Sequence, residues 1–147
     1  MDTLDLVFLV VNYSVLPAWI LLIVAPRAAI TDRVVHAGVI PIVLAIAYAV
    51  LLFGDQPGPQ GASFFTLDGV MRIFTTRRTV IACWAHYLIF DLFVGAWIVR
   101  DARRLAIPHL AIVPSIGLTL MFGPVGLLSY LVLRGAMKRR LTLIEDR

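Results

Sequence analysis

Four apolar runs, each about long enough to cross a bilayer as a helix, govern what this chain of 147 residues can fold into. Hydrocarbon offers the backbone no hydrogen-bond partner, so a spanning segment must satisfy its own amides, and as a helix it needs about 20 mostly apolar residues at roughly 1.5 Å each. The runs occupy residues 4–25, 34–53, 79–99 and 105–133. "PR" closes the first, the Gly/Pro-rich "GDQPGPQG" follows the second, and "TTRR" and "RDARR" bracket the third. Residues 61–78, "GASFFTLDGVMRIFTTRR", are too polar to span but carry Phe64, Phe65, Leu67, Val70, Met71 and Phe74, which predicts a short interfacial helix or a re-entrant piece. The expected fold class is an all-α integral membrane protein, a single unit over 1–147, with four transmembrane helices and a short interfacial helix between the second and third.

Composition excludes a soluble domain, because 61% of the residues are hydrophobic and only 15% are charged. The 13 Lys and Arg fall in short clusters between the apolar runs, the pattern of membrane-edge anchors rather than of a nucleic-acid surface. The single cysteine, Cys83, has no intrachain partner and belongs to no metal-binding motif. The acidic start "MDTLD" and the length of the first run favour a retained helix over a cleaved signal peptide. Four crossings put both termini on one face, with eight Lys or Arg (Arg72, Arg77, Arg78, Arg134, Lys138, Arg139, Arg140, Arg147) against five opposite (Arg27, Arg33, Arg100, Arg103, Arg104). The positive-inside rule then predicts cytoplasmic termini, in a multi-pass protein of the plasma membrane if the source is bacterial.

Polar groups inside the runs are the candidates for chemistry. Prolines at 17, 41, 114 and 124 are expected to bend the helices and open a concavity, and "FGPVGLL" at 122–128 removes bulk so that a helix or a ligand can approach the backbone. Measured from the N-terminal face, Asn12 lies about 12 Å deep, His86 about 10 Å, Tyr48 about 9 Å and Asp91 about 18 Å, close to the midplane. These four can border one chamber, although His86 and Asp91 stand about 140° apart on their helix while Trp84, Tyr87 and Asp91 share a face. An ionised aspartate at that depth is costly, so Asp91 is expected to carry its proton or to pair with Asn12, a tyrosine hydroxyl or Arg134. The plainer reading is an interhelical hydrogen bond that holds packing, and for His86 a single bond to a carbonyl.

Haem ligation by His36 and His86 is excluded by depth, since the two stand at very different heights. His36 and His109 lie near the same face, but no His-x-x-His or Glu-x-x-His pattern accompanies them, so neither a metal nor a cofactor is expected.

"LPAWILLIVAPR" in the first run, "WAHYLIFDLFVGAWIVRDARR" in the third and "FGPVGLLSYL" in the fourth resemble the abscisic-acid-deficient-four-like family. The spacing of Trp84, His86, Asp91 and Asp101, followed by Gly-Pro-x-Gly, carries the resemblance over most of the chain. It implies a membrane protein of about four helices, associated in plants with conversion of the carotenoid violaxanthin to neoxanthin. That isomerisation opens an epoxide and forms an allene, which needs an acid at the epoxide oxygen and a base at the polyene end. Asp91 and His86 are residue types suited to those steps.

Two readings follow. The first is a membrane isomerase acting on a carotenoid-type polyene or other isoprenoid lipid, with His86 and Asp91 transferring protons and Asn12, Tyr48, Trp84, Tyr87, Gly123 and Pro124 positioning the substrate. The second is a non-catalytic module that binds a carotenoid or a membrane partner, including a second copy through a lipid-facing small-residue surface around Gly95 and Gly117. A solute carrier has little support, because there is no internal repeat from which to build alternating access.

Overall fold

The structure is a computed structural model that describes residues 2–54 and 58–139. Helix α1 (Thr3–Ser14) opens with a reciprocal cap, the Asp2 carboxylate accepting from the Asp5 amide and the Asp5 carboxylate accepting from the Asp2 amide. It passes through Val15 into α2 (Leu16–Val24). A short α3 (Ala29–Thr31) leads to a π-helical turn, Asp32–His36, and Gly38 at φ 76° then starts α4 (Val39–Phe53). Thr66 caps α5 (Leu67–Ile73), and Thr76 caps the longest helix, α6 (Arg77–Arg104). The chain finishes in α7 (His109–Phe122) and α8 (Pro124–Lys138).

Three stretches are long and apolar enough to cross a membrane: Thr3–Val24, Ala29–Phe53 and Arg77–Arg104. The run expected as a fourth crossing is instead two helices of 14 and 15 residues, each only about 21–22 Å long. Gly123, at φ 33° and ψ −90°, reverses the chain, a conformation that glycine adopts without penalty from a Cβ. Gly126 then lies on Thr119, and the Ser129 hydroxyl donates to the Ser115 hydroxyl at 2.8 Å, so α7 and α8 run antiparallel as a tight hairpin. A Cβ at Gly126 would stand 2.1 Å from the Thr119 amide nitrogen, which leaves no room for any other residue.

The prolines act mainly as helix starters rather than as kinks. Pro17, Pro41 and Pro124 all sit in the first turn of α2, α4 and α8, where the absent amide proton had no helical partner to lose. Only Pro114 lies inside a helix.

Helix α6 is the spine, with α1, α2, α4, α7 and α8 all packed on it. Its small residues admit neighbours: the Trp19 ring fills the notch at Gly95, 2.6 Å from where a Cβ would stand. Gly95 therefore belongs to the buried core and not to the lipid-facing surface expected for it, because a large partner within the chain already occupies the space. Gly117 has nothing within 4 Å of a Cβ position.

The two ends of α6 are fastened by charge. At its start Arg77 pairs with Asp2 and Asp5. Near its end Asp101 pairs with Arg134 of α8. The N-terminus and the end of α8 consequently lie at opposite ends of α6. Shared-side termini had rested on four single crossings, and a hairpin stands where the fourth was expected. Arg140 and Arg147, which were counted for orientation, lie outside the described residues.

Candidate functional site

The hairpin tip meets α6 at Asp91, fourteen residues from Arg77 and thirteen from Arg104, so it stops halfway along the spine. A Cβ at Gly123 would stand 2.4 Å from Asp91 Oδ1, which places the carboxyl directly over the turn. Gly123 is also the residue preceding α8, so the carboxyl stands at the start of that helix. A groove of about 250 Å³ opens at this junction, walled by His86, Tyr87, Phe90, Asp91 and Val94 of α6 and by Gly123, Pro124 and Leu127 of α8. A second hollow of about 270 Å³, between Phe93, Val94, Trp97, Leu127 and Leu131, continues it toward the end of α6, with Val94 and Leu127 common to both. From Tyr87 to Trp97 the two extend about 15 Å along the helix.

Of the residues singled out in the sequence, five share this groove: His86, Tyr87, Asp91, Gly123 and Pro124. Tyr48 reaches its edge from α4, its ring centroid 5.9 Å from that of His86 at a tilt of 48°. Phe90 packs closer on the imidazole, at 4.6 Å. Asn12 and Trp84 lie elsewhere, where the indole donates to the Asn12 amide oxygen at 3.0 Å and ties α6 to α1. The four polar residues thus do not ring one inner chamber. Different neighbours surround α6 on different sides, and the hollow beside Asp91 is open laterally, with Asp91 half-buried and Tyr87 exposed.

Arg134, one expected partner of Asp91, is used differently. The Asp101 carboxylate accepts from the Tyr130 hydroxyl at 2.6 Å on one oxygen, which also stands 2.9 Å from Arg134 Nε as an ion pair, and from the Arg104 guanidinium at 2.7 Å on the other. Trp97 stands edge-on to the Tyr130 ring at 5.6 Å. Asp101, Tyr130 and Arg134 are all buried, so this is a closed lock between α6 and α8 with no room for a substrate. Asp101 entered the sequence reading through the family spacing and as part of "RDARR", which reads as a solvated edge, without a structural role; the signal for one was a tyrosine and an arginine one turn apart at the end of the final apolar run.

The remaining histidines serve packing. His109 donates through Nε2 to the Ile23 carbonyl at 2.8 Å, joining α7 to α2, while His36 Nδ1 lies 3.2 Å from Arg100.

Among the described residues only helices occur, three helical stretches are long and apolar enough to cross a bilayer, and a lateral groove holds a carboxyl and an imidazole, which together define the class: a small helical membrane-type protein with an apolar side groove. Residues 6–130 match the family model described as ABA DEFICIENT 4-like, and the chain belongs to that family. It is similar to Protein ABA DEFICIENT 4, chloroplastic, from Arabidopsis thaliana, being 29% identical over 143 residues that cover 91% of this chain and 63% of the relative. The chain therefore spans less than two thirds of the length of that relative. No solved structure matches it.

Proposed function

We propose that this protein binds a carotenoid-type polyene in the groove along α6 and α8 and rearranges its polar end by proton transfer. The observation that carries the reading is the division of the groove: Asp91 and His86 stand at one end, and Phe93, Trp97, Leu127 and Leu131 form an apolar trough at the other. A polyene lying in the trough presents its ring to the two titratable groups, and the lateral opening admits it from lipid. Family membership supports an isoprenoid ligand of this kind. In the epoxide-to-allene rearrangement, the Asp91 carboxyl gives its proton to the epoxide oxygen and the C–O bond breaks. The His86 imidazole takes a proton from the polyene carbon, whose electrons complete the allene. Return of that proton from His86 to Asp91 restores both groups, so nothing is oxidised or reduced.

Cells making the protein beside a carotenoid pathway should accumulate a rearranged pigment, and Asp91→Asn and His86→Gln should each abolish it while leaving the protein in the membrane. An unaltered pigment profile with the wild-type chain, across epoxide-bearing carotenoids, removes the catalytic reading.

The contact between Asp91 and Gly123 favours a second reading, in which the carboxyl fastens the hairpin tip and the groove only holds pigment. In that case Asp91→Asn lowers folded yield, while the pigment that co-purifies is chemically unchanged with either chain.

A further inference from the structure

At the far end of α6 from Arg77, the turn into α7 encloses a pocket of about 230 Å³ that the polyene groove does not reach. Its floor is apolar, with Val99, Ile107 and Ile112 buried, and its rim carries Arg27, Arg103 and His109. Arg103 is the unusual member. Its Nε and Nη2 are buried with no hydrogen-bond partner among the described residues, and its Nη1 stands 3.8 Å from Asp32, beyond hydrogen-bond reach. Asp32 is itself largely exposed, and Asp101, the other nearby acid, is already engaged by Arg104, Arg134 and Tyr130. Two guanidinium donors turned away from solvent and left without an acceptor are costly unless an anion supplies one. Arginine's planar fork matches the paired oxygens of a phosphate.

We propose that this pocket is a binding site for a phosphate-bearing anion, with Arg103, its side chain 31% exposed, as the inner fork and Arg27 as the outer cation. The apolar floor beneath the cationic rim suits a phosphate attached to hydrocarbon, and Arg103, next to the last residue of α6, stands where a lipid headgroup lies against a membrane-crossing helix. His109 does not compete for the anion, because its Nε2 is already committed to the Ile23 carbonyl.

The test uses the full chain in phosphatidylcholine nanodiscs, its melting temperature followed as phosphatidylglycerol is added or, separately, as inorganic phosphate is added to the buffer. The wild type should melt higher with one of these probes. Arg103→Gln should need roughly fivefold more of the same probe for an equal rise above its own melting temperature in phosphatidylcholine alone, the effect of losing one cation at a membrane surface. Arg27→Gln, altered at an exposed side chain, should shift in the same direction by less, and it decides the matter if Arg103→Gln does not fold. A rise with phosphatidylglycerol that inorganic phosphate does not suppress assigns the site to a lipid headgroup. A rise with inorganic phosphate alone assigns it to a free phosphate. No response of the wild type to either probe, or responses of both variants equal to that of the wild type, overturns the proposal.

Discussion

Asp101 and Arg134 form a 2.9 Å ion pair across α6 and α8 in which neither side chain is more than 1% exposed. Removing one partner breaks a buried ion pair, which costs about 3–5 kcal/mol, although Asp101 keeps Arg104 and Tyr130 when Arg134 is lost. Arg134→Met and Asp101→Leu should each lower the melting temperature of the detergent-solubilised protein sharply, and the double variant should recover most of the loss. Tyr130→Phe, which removes one donor of the three, should cost about 1–2 kcal/mol. Single variants as stable as the wild type would show that the pair is not closed to water.

Gly123 carries two constraints, a positive φ and a carboxyl where a Cβ would stand. Gly123→Ala is therefore expected to destabilise by roughly 2 kcal/mol or more, whereas Gly117→Ala, in open space within α7, should be neutral or stabilise by up to about 1 kcal/mol. Adding Asp91→Ala to Gly123→Ala should restore only the steric part, because the backbone strain remains. Equal melting of the two single variants would refute the tight turn.

Thr75 and Met137 lie toward opposite ends of α6, so if α6 crosses the membrane they are expected on opposite faces. With Cys83→Ser as background, Thr75→Cys and Met137→Cys should react with a membrane-impermeant maleimide from opposite sides of sealed vesicles. Labelling of both from one side would restore a fourth full crossing.

The Asp2 carboxyl is held below its ordinary value of 3.8 by the Asp5 amide and by Arg77. A depressed value means that the folded state favours the charged form, so the stabilisation is complete above the ordinary value and fades as pH falls through the folded one. The melting difference between wild type and Asp2→Ala should stay constant from neutral pH down to about 5 and shrink below 3.8. A difference that persists unchanged in stronger acid would point to a packing role instead.

The third run was legible because about twenty mostly apolar residues stand between "TTRR" and "RDARR", and both signals are local. The reversal at Gly123 was not, because hydropathy records how greasy a segment is and not which way it travels. "FGPVG" announces a break, yet a bend and a turn-back leave the same composition. From that one ambiguity the misplacement of Arg134 followed: on a helix continuing forward it approaches the depth of Asp91's half, and on one that turns back it lands beside Asp101. The groove was partly legible for the same reason in reverse. His86, Tyr87 and Asp91 sit within two turns of a single helix, so their proximity needed no knowledge of the chain's direction. The Trp84–Asn12 bond depended on how α1 is rotated, which apolar residues on all sides of a helix do not disclose.

Because the hairpin stops at the middle of α6, the two halves of the molecule differ in girth. Around Arg77 the cross-section holds α1, α4 and α6, while toward Arg104 it holds α2, the turn Asp32–His36, α6, α7 and α8. Such a body tapers. With α6 crossing a bilayer, it would displace more lipid from one leaflet than from the other and would pack with least stress where the sheet bends, with its slender half on the concave side.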